Sequence, residues 1–433
     1  MTYAMLAPTP LFRTLAGLAL GVLLAFSGNS AAMAQAQAQA PPLFERGGNI
    51  SVLERPRPGY EALGVRAGGF ILYPKATFRL EYDDNVYAQP NARSDTIYSL
   101  APELELRSDW PRHAATVNLE ANLRRYDKYG SEDADTWSLS GRGRIDVSRR
   151  TRVDLRASHA DRVEPRTQGA YAVDPAEPIQ FTTDTVGVVG RQEFGRARFV
   201  ATAELSKFDY DDGFEPGGNV IDQDYRDRTE AEVSAKLAYA LSPATAFFVE
   251  VGAQQMSYDD TAPINRDSQG MTALAGVDWE ITRLVTGEAS IGYIHQSFDD
   301  STYDDVSNPH YRFKLNWYPT QLITVGLTAT QRVTDSPLVD SPAFVSRTVE
   351  VKADYELLRN LIISGQILGT DQDYRGIDRN DRRYGAGLSA NYLLNRTVGV
   401  SLRYKYDTLE SSGAARGRDF DDQSVSLALT LQR

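Results

Sequence analysis

The side chains with the widest chemical repertoire are scarce in this sequence. Its 433 residues include 4 histidines and no cysteine. The histidines are His113, His159, His295 and His310. Neither the metal-binding HExxH motif nor the strained Gly-x-Ser-x-Gly turn of a hydrolase occurs. His159 alternates in step with Val153, Leu155 and Ala157, and His295 with Ile291 and Tyr293. A general base must meet its substrate's proton in an aqueous site, and those two faces are apolar. His113 lies in a short turn beside Arg112, and His310 opens a strand after Ser307-Asn308-Pro309. No catalytic, cofactor-binding or metal-binding residue is expected, and the chain does not read as an enzyme.

Carboxylates are the abundant group: 58 Asp and Glu stand against 46 Lys and Arg, for a formal charge of −12. Many come in one phrase, an aromatic followed by two aspartates. It occurs at Tyr82-Asp83-Asp84, Tyr210-Asp211-Asp212, Tyr258-Asp259-Asp260, Phe298-Asp299-Asp300, Tyr303-Asp304-Asp305 and Phe420-Asp421-Asp422. A Ca²⁺ loop would add a distal bidentate glutamate at fixed spacing, and none follows. The acids read instead as solvated loop residues, and the elements on either side of them explain their recurrence.

Those elements alternate with period two. In 114–126, Ala115, Val117, Leu119, Ala121 and Leu123 take one face, and Thr116, Asn118, Glu120, Asn122 and Arg124 the other. Successive side chains of a strand point to opposite sides of the pleat, so this is the strand period. Residues 229–239, 348–356, 398–406 and 424–431 repeat the pattern. About eighteen such runs follow one another from 70–83 to 420–432, sixteen being the alternative count. Most are long enough to cross a bilayer when tilted, roughly ten residues. Their connections alternate between short and long, as in outer-membrane barrels. The expected fold is all-β, a transmembrane antiparallel up-and-down β-barrel with long outer loops and short periplasmic turns.

In such a barrel a ring with a polar tip suits the headgroup level. The phrase then marks strand ends, with Tyr82, Tyr126, Tyr210, Tyr258 and Phe298 as an outer-surface girdle. Trp110, Trp279 and Trp317, beside short turns, form the periplasmic girdle. The polar face lines the lumen: Glu103, Glu105, Arg107, Glu120, Arg124, Arg142, Arg144, Glu230, Glu232, Lys236, Glu350, Lys352, Asp354, Arg403 and Lys405. Both signs are present, which suits a hydrated solute and builds no ring of one charge. Opposite charges on neighbouring strands would also pair and brace the wall.

The N-terminus is separate. Residues 1–34 carry Arg13, an apolar core near 15–26 and Ala32-Met33-Ala34, the pattern of a cleaved signal peptide. Residues 35–69 are rich in Pro, Gly and Gln and read as a disordered or extended periplasmic arm. Residues 70–433 are the barrel. The acidic balance excludes a nucleic-acid partner. The expected partners are outer-membrane lipid and lipopolysaccharide, and a hydrated polymer or small solute.

The Arg55-Pro56-Arg57-Pro58 lead, the first strand ending Asp83-Asp84-Asn85, the Asp95 to Pro102 strand, the Ser108-Asp109-Trp110 turn and the stretch 141–166 resemble the β-barrel porin type 2 family. The resemblance implies an outer-membrane porin of a Gram-negative bacterium, with periplasmic termini. It also implies a link to exopolysaccharide or capsule secretion, and with it a periplasmic polysaccharide-export component as partner. The expected function is a channel for exopolysaccharide export. The alternatives are a structural or adhesive surface protein with a plugged lumen and a general solute porin.

Overall fold

The structure, a computed structural model, describes residues 50–168, 175–261, 265–282 and 284–433. The expected signal peptide and the arm up to residue 49 lie outside the described residues. Long strands dominate. In chain order they are β1 (Phe70–Asp83), β2 (Asp95–Ser108), β3 (Ala114–Tyr126), β4 (Ala134–Asp146), β5 (Thr151–Val163) and β6 (Gln180–Phe194). There follow β7 (Ala197–Tyr210), β8 (Arg228–Ser242), β9 (Thr245–Tyr258), β10 (Ser268–Thr282), β11 (Val285–Phe298) and β12 (Val306–Thr320). The last are β13 (Ile323–Asp335), β14 (Ala343–Leu358), β15 (Leu361–Tyr374), β16 (Asn380–Leu393), β17 (Val398–Ser412) and β18 (Phe420–Gln432).

Each strand pairs antiparallel with its sequence neighbours, and β18 returns to β1 through a ladder from Lys75–Gln432 to Asp83–Ser424. The sheet counts 19 strands; the extra one, Val65–Ala67, pairs only with the start of β1, so 18 close the ring. Closure leaves no edge with unpaired backbone groups, the condition for a sheet in hydrocarbon. The runs read from the sequence coincide with these strands.

One end of the barrel has connections as short as the two residues Gly195-Arg196, where Gly195 takes φ 63°. That left-handed conformation lets β6 turn straight into β7. The other end has connections as long as residues 211–227. Large apolar side chains stay exposed at alternate positions: Val117 and Leu119 on β3, Val249 and Val251 on β9, Leu427, Leu429 and Leu431 on β18. An apolar belt of that extent around a closed barrel is the surface that lipid covers.

Residues 50–69, the described part of the expected disordered or extended arm, lie against the barrel. Val65–Ala67 folds back on β1. Upstream of it the chain crosses the short-turn end. The Arg396 side chain donates to the Pro58 carbonyl at 2.8 Å. Farther on, the Val52 amide donates to Thr324 Oγ1 of β13 at 2.9 Å. Val52 is fully buried there. Buried polar anchors, which composition does not reveal, hold a segment that Pro and Gly leave without regular structure.

Candidate channel lumen

Strand parity sets which side chains enter the barrel. All the charged residues expected at the lumen, from Glu103 on β2 to Lys405 on β17, stand on the face opposite the exposed apolar residues. Many have partners on that face. Lys75 pairs with Glu103, and Arg107 with Glu105. Arg144 meets Asp146 at 3.2 Å, Lys352 meets Glu350 at 3.0 Å, and Lys405 meets Asp407 at 3.1 Å. Lys236 reaches Glu288 at 3.0 Å, and Ser364 donates to Asp354 at 2.6 Å. Arg124 is 3.9 Å from Glu81. Arg156 of β5 spans β6 to reach Glu204 of β7, and the strand between offers Gly187, where a Cβ would strike the Arg156 side chain. Pairs that share the lumen water are worth about 0–1 kcal/mol each. Their effect is to hold long side chains against the wall and keep the bore free.

The outer girdle is corrected at four of its five rings. Tyr82 faces out, 52% exposed in line with Phe78 and Leu80. Tyr126, Tyr210, Tyr258 and Phe298 share parity with lumen residues and turn inward. Tyr258 donates to Asp335 of β13, four strands away, a contact that only the interior of the barrel permits. Arg226 lies 4.0 Å from the Tyr210 ring and Arg266 4.9 Å from the Tyr258 ring. Phe298 meets Tyr303 edge-on at 5.8 Å. These rings form an inner collar with arginines stacked on it. Trp279 and Trp317 lie on the outer face near the short-turn end, and Trp110 packs against Phe70 in its turn.

The long connections interlock over this collar. Glu132 pairs with Arg166 at 2.7 Å, both almost fully buried. Glu164 accepts two bonds from Arg226. Burial works against the Arg226 charge, yet the hydrogen-bonded Glu164 carboxylate holds the guanidinium above its ordinary value. Tyr225 and Tyr303 donate to the carbonyls of Pro337 and Val339, each at 2.8 Å. Connection 336–342 is thereby drawn in over the lumen. Below it lies a cavity of about 440 Å³ bounded by strands from β7 to β15 and lined by Glu232, His310, Arg312 and Arg332 among others.

At the opposite end, Arg57 donates to Glu356 of β14 at 3.0 Å and to the Val52 carbonyl at 2.7 Å, and Arg55 adds a contact to Glu356 at 3.4 Å. The segment lies across that mouth.

His159 and His295 face outward as expected. His159 is 3.5 Å from Asp184, and His295 bonds Ser307 at 2.8 Å. His310 differs: it stands inside β12 and faces the lumen. The signal was the alternation His310, Arg312, Lys314, obscured by Pro309, which suggested a later strand start. Arg332 and Glu356 were likewise unmarked, because no motif surrounds them, and Arg57 was marked only as part of the Arg-Pro lead.

No curated protein matches the chain. Among solved structures, Pseudomonas aeruginosa OpdO aligns at 14% identity and TM-score 0.45, covering 84% of this chain and 97% of that one. The outer membrane protein OpdK from the same organism aligns at 11% identity and TM-score 0.42, covering 84% and 99%. A mutant of its ferric enterobactin receptor PfeA aligns at 8% identity and TM-score 0.47, covering 84% and 80%. Residues 57–433 match the family described as "Putative beta-barrel porin 2", and the chain belongs to that family of outer-membrane β-barrel porins.

Proposed function

We propose that the protein passes small hydrophilic solutes across the outer membrane of a Gram-negative bacterium, with both termini in the periplasm and the long connections outside. The observation that carries this reading is the lumen itself. Its wall carries charges of both signs, and a cavity of about 440 Å³ lies beneath the drawn-in connection 336–342, while the arm lies across the opposite mouth. A wall of mixed charge suits hydrated solutes without demanding one ion. Export of an exopolysaccharide is the larger-bore version of the same function. It requires both the arm and that connection to leave the lumen, and a periplasmic export component is the partner that would displace the arm. Lipid and lipopolysaccharide remain the partners of the outer face.

Swelling of liposomes loaded with a large polymer tests the reading. Monosaccharides are expected to enter, while long oligosaccharides stay out. Equal entry of both would favour the polymer channel. Entry of neither would favour a structural protein with a plugged lumen.

A further inference from the structure

Most charges on the barrel wall are answered by a neighbour, so the informative groups are those left over. The cavity beneath connection 336–342 collects several. On β12, His310 is 9% exposed and its Nδ1 has no hydrogen-bond partner. Two residues on, Arg312 gives one nitrogen to Glu250 at 2.6 Å, while its Nε is buried without a partner. On β13, Arg332 lies two residues past Thr330, the cross-strand partner of Arg312. Among the described residues its guanidinium makes no hydrogen bond or ion pair. All three side chains line the one cavity.

His310 Nδ1 and Arg312 Nε are buried without a partner, which costs stability, and the exposed Arg332 guanidinium stands open to a solute in the same cavity. We propose that His310, Arg312 and Arg332 form an anion-binding step within the channel, for a small solute carrying one carboxylate. The planar guanidinium fork fits a carboxylate through two parallel bonds. Four carboxylates line the same cavity; Glu230 pairs with Arg228, Glu250 with Arg312 and Asp335 with Arg266, which leaves Glu232 of β8. Its charge opposes a second negative group and weakens retention of the first. Passage needs such a balance: attraction strong enough to enter and weak enough to leave. The proposal rests on the channel reading and adds a solute class to it.

Single-channel recording on the full chain tests it with lactate and its uncharged isostere lactamide. Lactate is expected to interrupt the current at concentrations where lactamide does not. Arg332→Gln is expected to weaken that block about ten-fold, the scale of one charge-assisted contact. Arg332→Lys, which keeps the charge and loses the fork, should fall between. Arg79→Gln, a lumen arginine of β1 outside the cavity, should leave the block unchanged. Equal action of lactate and lactamide on a conducting wild-type channel would overturn the site alone. So would an Arg79→Gln loss as large as that of Arg332→Gln. A folded barrel that carries no current would overturn the channel reading and the site together.

Discussion

A single buried carboxylate governs one mouth of the barrel. Glu356 is 3% exposed and takes both Arg55 and Arg57 of the arm. Breaking a buried ion pair by removing one partner costs about 3–5 kcal/mol when the other charge cannot escape. Here it can escape, because the arm upstream of Val65 is tied to the wall by few other bonds, chiefly Val52 to Thr324 and Arg396 to Pro58. Glu356→Gln is therefore expected to leave the melting temperature of the barrel nearly unchanged and to release the arm. A glutamyl endopeptidase should then cut after Glu54 or Glu61 in the variant and spare the wild type, as mass spectrometry of the product would show. A protected arm in the variant would mean that the Arg–Glu contacts do not hold it. At this scale the sequence said least. Arg57 looked like one charge in a Pro-rich tail, and its partner lies 299 residues away. The aromatic–Asp–Asp phrase was visible, but its meaning depended on parity. Tyr210 follows Glu204, Ser206 and Phe208 in steps of two, which puts it on the lumen face. Position along the strand suggested a girdle; the alternation already pointed inward.

Strands were the most legible elements, because each of the 18 must show lipid on one side and water on the other. That demand writes a period-two pattern regardless of tertiary detail. It also yields a sharp contrast between neighbours. Leu119→Arg places a cation on the exposed apolar face, at a cost of roughly 2–4 kcal/mol if near the membrane midplane. Asn118→Arg places it on the lumen side, where Glu105 is the cross-strand partner of the site. The first is expected to lower the urea midpoint of folding into vesicles and the second to leave it almost unmoved. Equal losses would mean that the faces are misassigned. The connections were less legible. Their composition marks turns and acids, yet it does not say that Tyr225 and Tyr303 draw connection 336–342 over the lumen. Such contacts join segments far apart in the chain and leave no periodic trace.

On the scale of the whole molecule, orientation comes first. Cysteines at Gly217, where a side chain meets open space, and at Ser301 are expected to react with an impermeant reagent on intact cells. One at Ala244, in a short turn, is expected to stay unlabelled; the reverse pattern would invert the barrel. The acidic chain and the mixed-sign wall were readable as those of a channel, whereas its two narrowings were not, since each is made by segments that composition assigns to coil. The central claim is that this barrel encloses a water-filled path, narrowed by its own arm. The measurement that tests it most directly is single-channel conductance in a planar bilayer, for the chain with residues 50–63 present and with them deleted. The account predicts defined conductance steps with weak charge preference in the first form and larger steps in the second. No current in either form, with the barrel shown intact by heat-dependent migration on a gel, would contradict it.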